Sequence, residues 1–157
     1  MIDNKIVDSN FTLNLRSKFS YLSQAPFMLD ETIKNNICFG EKKVNKKLLS
    51  KSLELSCSKD FILDFKNGIE TKVGENGVKL SGGQRQRINL ARSFYQNRDF
   101  MILDEATNEL DTNTEEKVLS NLISQKNKTI IIISHKKNIS DKFDLIYKIN
   151  NKKIYKL

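Results

Sequence analysis

The sequence predicts an α/β fold built on a mostly parallel sheet and closed by a C-terminal β-hairpin. Three observations predict it. Short apolar runs at Phe19–Leu22, Phe100–Asp104 and residues 129–134 have the length of strands and are separated by stretches with helical periodicity. The middle run ends on two acids, Asp104 and Glu105, at the strand terminus where open α/β sheets place their ligands. Residues 145–149 and 153–155 flank Asn150-Asn151 and read as two short strands around a turn.

The totals fit one domain. Of the 157 residues, 38% are hydrophobic and 29% charged, a composition ordinary for a chain that buries a core. No apolar run approaches the roughly 20 residues that cross a bilayer, and the polar start MIDNKIVDSN does not have the form of a signal peptide. The net charge of +8 comes from lysines scattered in short pairs such as Lys42-Lys43 and Lys46-Lys47. A solvated surface accounts for them, and no nucleic-acid partner is expected. Cys38 and Cys57 lack metal or redox spacing and are expected to be reduced, partly buried thiols of a cytosolic protein.

Taken in order, residues 5–7 read as a short strand and 13–17 as a helical turn. Phe19–Leu22 suits a buried strand. It ends at Ser23-Gln24-Ala25-Pro26, where Pro26 keeps Ala25 out of helical geometry and starts a loop. Residues 44–56 read as a helix with Leu48, Leu49, Leu53 and Leu55 on or near one face, and 59–64 as a second short helix. Gly68, Gly74 and Gly77 punctuate an irregular stretch. LSGGQRQR, Leu80 to Arg87, then opens a helix. Ser81 suits its N-cap, Gly82 and Gly83 leave its first N–H groups uncovered, and Ile88, Leu90, Ala91 and Phe94 give it an apolar stripe. Such a tip offers free donors and the positive end of the helix dipole to an anion, most often a phosphate.

Four consecutive apolar residues, Phe100 to Leu103, are expected to be buried on both faces of a parallel sheet. Asp104 can hold Mg2+, directly or through water, and Glu105 can polarise an attacking water. Residues 112–125 read as a helix capped by Thr112 or Thr114, with Val118, Leu119, Leu122 and Ile123 inward. TIIIIS at 129–134 is rich in β-branched residues and reads as another buried strand, followed by His135, the only histidine.

LSGGQRQR followed by FMILDEAT resembles the signature motif and Walker B strand of ATP-binding cassette (ABC) proteins, and the resemblance covers the whole chain. YLSQAPFMLDETIKNNI is similar to the Q-loop region of exporter-type cassettes, Leu110-Asp111 to the D-loop, and Ser134-His135 to the H-loop. The resemblance implies roles residue by residue. Gln24 would contact metal and water at the nucleotide and lead to the surface that touches a transmembrane partner. Asp104 would hold Mg2+, Glu105 would be the catalytic base, and His135 would bind the γ-phosphate. Leu80, Ser81, Gly82, Gly83 and Gln84, with Asp111 across the dimer interface, would meet ATP held by a second nucleotide-binding domain paired head to tail. Glu109 stands where the family usually has a small residue.

The resemblance also implies a P-loop NTPase-like fold. Residues 30–95 would form a small helical subdomain carrying Q-loop and signature, and 96–157 would carry Walker B, D-loop, H-loop and hairpin. It implies a cytoplasmic position, peripheral to a membrane through the transmembrane domain of an exporter. The family's phosphate cradle, GxxxxGK[ST], does not occur in the sequence. Residues 68–74 (GIETKVG) have glycines and lysine in the wrong order, and Gly40-Glu41-Lys42 lacks the first glycine and the hydroxyl. The chain is therefore expected to be the later part of a single ATPase domain, binding ATP weakly alone and hydrolysing it only when joined to a P-loop-bearing segment. The alternative expectation is a non-catalytic truncated cassette or gene fragment that only completes a partner's ATP site. DNA-repair and chromosome-organising ATPases carry a similar signature, but they place a long coiled coil where this chain has a short interval.

Overall fold

The computed structural model describes residues 9–136 and 142–157, so the strand read at residues 5–7 lies outside the described residues. Helix α1 (Ser9–Arg16) leads into β1 (Phe19–Leu22). Strands β2 (Phe100–Asp104) and β3 (Thr129–Ile133) complete a parallel sheet in the order β1-β2-β3. The register sets Phe19 opposite Phe100 and Asp104 opposite Ile133, so the three strands end together.

The β2 run alternates rather than being covered on both faces. Met101 and Leu103 are fully buried, whereas Phe100, Ile102 and Asp104 are half-buried. The physical reason is that helices α5 (Gly82–Gln96) and α6 (Thr112–Ile123) pack on one face only, where Leu90, Phe94, Val118, Leu119 and Leu122 meet Leu22, Met101 and Leu103. The same asymmetry corrects the expectation for β3. Ile130 and Ile132 pack on this core, but Ile131 and Ile133 are about half exposed on the other face. A run of isoleucines reads alike whether one face or both are covered.

A second core lies among short helices. Helix α2 (Ile33–Ile37) is capped by Thr32, whose side chain accepts from Asn35 N; α3 (Lys46–Leu55) is capped by Asn45; α4 (Lys59–Leu63) follows. Ile33, Ile37, Leu49, Phe61, Ile62 and Val73 are buried together there with Ile88 and Ala91 of α5. Helix α5 therefore does not carry the single stripe read from its sequence. At about 100° per residue, Leu90 and Phe94 point one way and Ile88, Ala91 and Tyr95 another. The first pair enters the sheet core and the second set the helical core. One helix thus fixes the two cores to each other.

Polar groups finish this junction. Asn36, fully buried, accepts from Leu29 N (2.9 Å) and donates to Leu29 O and Thr32 O (3.1 Å each). Arg92 of α5 donates to Asn36 O (2.7 Å) and Phe27 O (3.0 Å), and its burial pulls its pKa below the ordinary value. Arg87 lies over the Phe61 ring at 4.4 Å and donates to Cys57 O.

Helix α6 is capped by Asp111, not by Thr112 or Thr114. The Asp111 carboxylate accepts from Thr114 N at 3.0 Å, and that bonding holds its pKa below the usual value. Ile123, read as inward, is 41% exposed, and Glu115 takes an inner position instead. The C-terminal hairpin forms as expected, from β4 (Tyr147–Asn150) and β5 (Lys153–Lys156), as a separate two-stranded sheet. Its turn lies one residue later than read, at Asn151-Lys152, both with positive φ (49° and 59°), the geometry that matches the twist of a two-residue hairpin.

Both cysteines are free, and burial pushes both thiols up. Cys38 is 5% exposed, so it is expected to react with Ellman's reagent only on unfolding, after the half-buried Cys57. Two equally fast thiols in a native time course would contradict this packing.

Candidate functional site

The three parallel strands end side by side, and the residues just beyond their ends converge. Gln24 follows β1, Glu105 follows β2 and His135 follows β3. Glu105 extends the ladder by one bond, its N–H donating to Ile133 O at 3.1 Å. Its φ is +50°, the left-handed region that costs a non-glycine residue roughly 1–2 kcal/mol. That turn takes its carboxylate off the strand and across the sheet end. Oε2 accepts from Gln24 Nε2 (2.9 Å) and from Asn108 Nδ2 (2.9 Å), and Oε1 lies 2.8 Å from His135 Nε2. The Glu105 side chain is 17% exposed and that of His135 88%. One carboxylate thus accepts from two amides and meets an imidazole nitrogen, each from a different loop, while its histidine partner faces outward.

Asp104, the last residue of β2, accepts from Tyr21 OH through Oδ2 at 2.8 Å. The bond to this carboxylate, the largest cause, raises the Tyr21 pKa above its ordinary value. Among the described residues, Asp104 Oδ1 and Gln24 Oε1 carry no protein hydrogen bond, and no group of three or more His, Cys, Asp or Glu is placed to hold a metal. Carboxylate and amide oxygens are the kind of ligand a hard cation such as Mg2+ takes, completing its shell with phosphate oxygens and water.

Behind the site, Thr107 Oγ1 donates to Glu115 Oε1 (2.7 Å) and Lys136 Nζ meets Glu115 Oε2 (2.6 Å). This bridge ties the loops after β2 and β3 to the first turn of α6 and so holds the backbone next to His135. Sequence reasoning missed Tyr21, Asn108, Glu115 and Lys136. Asn108 sits three residues from Glu105, a spacing that could have pointed to it. The other contacts depend on strand register and on α6 docking, which no local pattern encodes.

The tip of α5 forms a second arrangement. Ser81 Oγ accepts from Gln84 N (3.2 Å), and Gln84 Oε1 accepts from Ser81 N (2.9 Å), a reciprocal capping box. Gly82 and Gly83, in the first turn, keep N–H groups without an intrahelical acceptor. Leu80 is buried at 4% exposure and anchors the tip in the helical core. A methyl group built on Gly83 would lie 2.8 Å from Glu109 O, a backbone atom, so close approach requires glycine there, whereas one on Gly82 would meet only the carboxylate end of the exposed Glu109 side chain. The structure thus brings Gln24, Glu105 and His135 together, with Asp104 beside them. It holds Gly82 and Gly83 against the loop at Glu109, pairs Ser81 with Gln84 in the capping box, and puts Asp111 at the N-terminus of α6.

A family model described as ABC transporter matches residues 1–108. An ATP-dependent lipid A-core flippase from Vibrio vulnificus (strain CMCP6) is 41% identical over 140 residues, covering 88% of this chain and 24% of the relative. An ATP-dependent permease MDL1 from Candida albicans is 41% identical over 134 residues, covering 84% and 19%. The chain thus spans about a quarter or less of the length of these curated relatives. A solved structure of a bacterial Atm1-family ABC exporter with ATP bound superposes with a TM-score of 0.84 at 30% identity, covering 89% of this chain and 25% of that one. Among the described residues, no helix is long and apolar enough to cross a membrane.

Proposed function

This chain belongs to the ABC transporter family, and we propose that it is the later part of an ATP-hydrolysing domain that powers an exporter. The observation that carries the reading is the convergence of Gln24, Asn108 and His135 on the Glu105 carboxylate. Glu105 takes a proton from the attacking water as its oxygen bonds to the γ-phosphorus and the bond from that phosphorus to the bridging oxygen of ADP breaks. His135 and Gln24 hold the carboxylate and the water in line. Asp104 and Gln24 would hold Mg2+, which when bound neutralises charge on the phosphate oxygens. The partners in this reading are a second nucleotide-binding domain, paired head to tail through the α5 tip and Asp111, and the transmembrane domain of an exporter at the cytoplasmic face.

Because GxxxxGK[ST] does not occur in these residues, the triphosphate needs its amide cradle and lysine from another segment. Titration of the purified chain with a fluorescent ATP analogue is expected to show binding weaker than micromolar. Micromolar affinity would refute the need for an outside cradle.

The same missing pattern favours a second reading, in which the chain has no turnover of its own and the α5 tip only completes a partner's site. Adding the chain to a complete cassette separates the two. Both readings expect faster ATP turnover, lost in Ser81→Arg. Glu105→Gln in the added chain lowers it only if this chain catalyses.

A further inference from the structure

We propose that Tyr21 is a positioning residue for the cation site. By holding Oδ2 of Asp104 it leaves that carboxylate one oxygen to offer, and so suits the site to Mg2+ over Ca2+. The inference rests on the reading that Asp104 and Gln24 hold a divalent cation, and it adds a residue and a selectivity that this reading does not contain.

Three observations carry it. The first is register. Strands β1 and β2 run parallel with Tyr21 opposite Ile102, so Asp104 lies two residues further along the neighbouring strand. Side chains alternate along a strand, and Ser20, Leu22, Met101 and Leu103 are buried on the face that α5 and α6 cover. Tyr21, Ile102 and Asp104 therefore share the opposite face, and the tyrosine OH reaches diagonally to donate to Asp104 Oδ2 at 2.8 Å. The second is that burial does not account for the tyrosine. It is 60% exposed, so its ring adds little to the core, while its hydroxyl bonds the carboxylate. The third is the difference between the two carboxylate oxygens. Among the described residues Asp104 Oδ1 accepts no hydrogen bond, and neither does Oε1 of Gln24, whose Nε2 is committed to Glu105. One engaged oxygen and one free oxygen suit a cation that takes a carboxylate through a single atom. Mg2+ is small and demands near-ideal octahedral geometry, whereas Ca2+ takes more oxygens and accepts both from one carboxylate. A Ca2+ ion that grips Asp104 through both oxygens competes with the Tyr21 OH for Oδ2, and Mg2+ on Oδ1 does not.

The test uses the 15N-labelled natural chain, Tyr21→Phe, which keeps the exposed ring and removes the donor, and Asp104→Asn. Mn2+ alone is the probe, and broadening of the Gln24, Asp104 and Glu105 amides reports its binding. Mg2+ and Ca2+ are then added in separate titrations, and the concentrations that reverse half of the broadening give a Mg2+-to-Ca2+ preference. This preference is expected to shift toward Ca2+ by at least about threefold in Tyr21→Phe. A hydroxyl that only braced the strand would change both concentrations alike. A preference that stays the same, or moves toward Mg2+, therefore overturns the proposal, while the cation reading stands. Asp104→Asn is expected to lose the broadening at these amides. If Mn2+ broadens none of them in the natural chain, or broadens them equally in Asp104→Asn, the cation reading fails and the proposal falls with it.

Discussion

Glu105→Gln is expected to lower ATP turnover by about 10²–10⁴-fold in a cassette assembled from this chain and a P-loop-bearing segment, with nucleotide affinity retained. The change keeps the side chain's shape and removes its ability to take a proton. It also disturbs the local geometry. Gln24 Nε2 and Asn108 Nδ2 both donate to Oε2, so a glutamine amide nitrogen at that position would confront two donors, and the amide must turn its nitrogen toward His135 Nε2. Phosphate release measures turnover, and equilibrium binding of a fluorescent nucleotide measures affinity. Turnover that survived the change would remove Glu105 as the base. Loss of binding together with turnover would mean that the substitution had damaged the fold.

Asn36→Ala is expected to cost about 2–4 kcal/mol of folding stability. Asn36 is fully buried, and its amide serves both polar groups of Leu29 as well as Thr32 O. Truncation leaves Leu29 N without its acceptor, removes one donor each from Leu29 O and Thr32 O, and opens a cavity beside Arg92, whose guanidinium is anchored on Asn36 O and Phe27 O. For a domain whose total stability is of order 5–15 kcal/mol, this is a large fraction. Urea unfolding followed by circular dichroism reads it, with the exposed Lys42→Ala as a control expected within about 0.5 kcal/mol of the natural chain. Equal midpoints for Asn36→Ala and Lys42→Ala would show that the network carries no stability. The consequence reaches the site, because the same network holds the segment that returns from Gln24 to α5.

Much of this fold is legible locally. The run Phe19–Leu22 becomes β1 with the expected bounds, and the Phe100–Asp104 run becomes β2, because short, mostly apolar runs between polar flanks form no competing pattern. Ser81 caps α5 as its residue type and position suggest. Helix α2 was not legible. IKNNI offers a single apolar i,i+4 pair, Ile33 and Ile37, too little to signal a helix, and its stability comes from burying that pair, from the Thr32 cap and from a buried asparagine satisfied by distant groups. The cap of α6 fell to Asp111 rather than to either threonine, because a carboxylate one residue earlier reaches Thr114 N and also favours the helix dipole. The exposure of Ile131 and Ile133 is set by which face α5 and α6 cover, a fact outside the strand itself.

By itself the sequence determined what local chemistry can specify: a serine-capped, glycine-opened helix tip at Ser81-Gly82-Gly83, two acids after an apolar strand, a histidine after another, and the order in which they come. Only the tertiary structure decided that Gln24, Glu105 and His135 share one carboxylate, that Tyr21 holds Asp104, and that Glu109 sits on Gly82. The reason is that parallel strands align their ends through crossovers of many residues. Which side chains meet beyond those ends depends on register and helix docking, two quantities fixed by packing over the whole chain and by no short stretch of it.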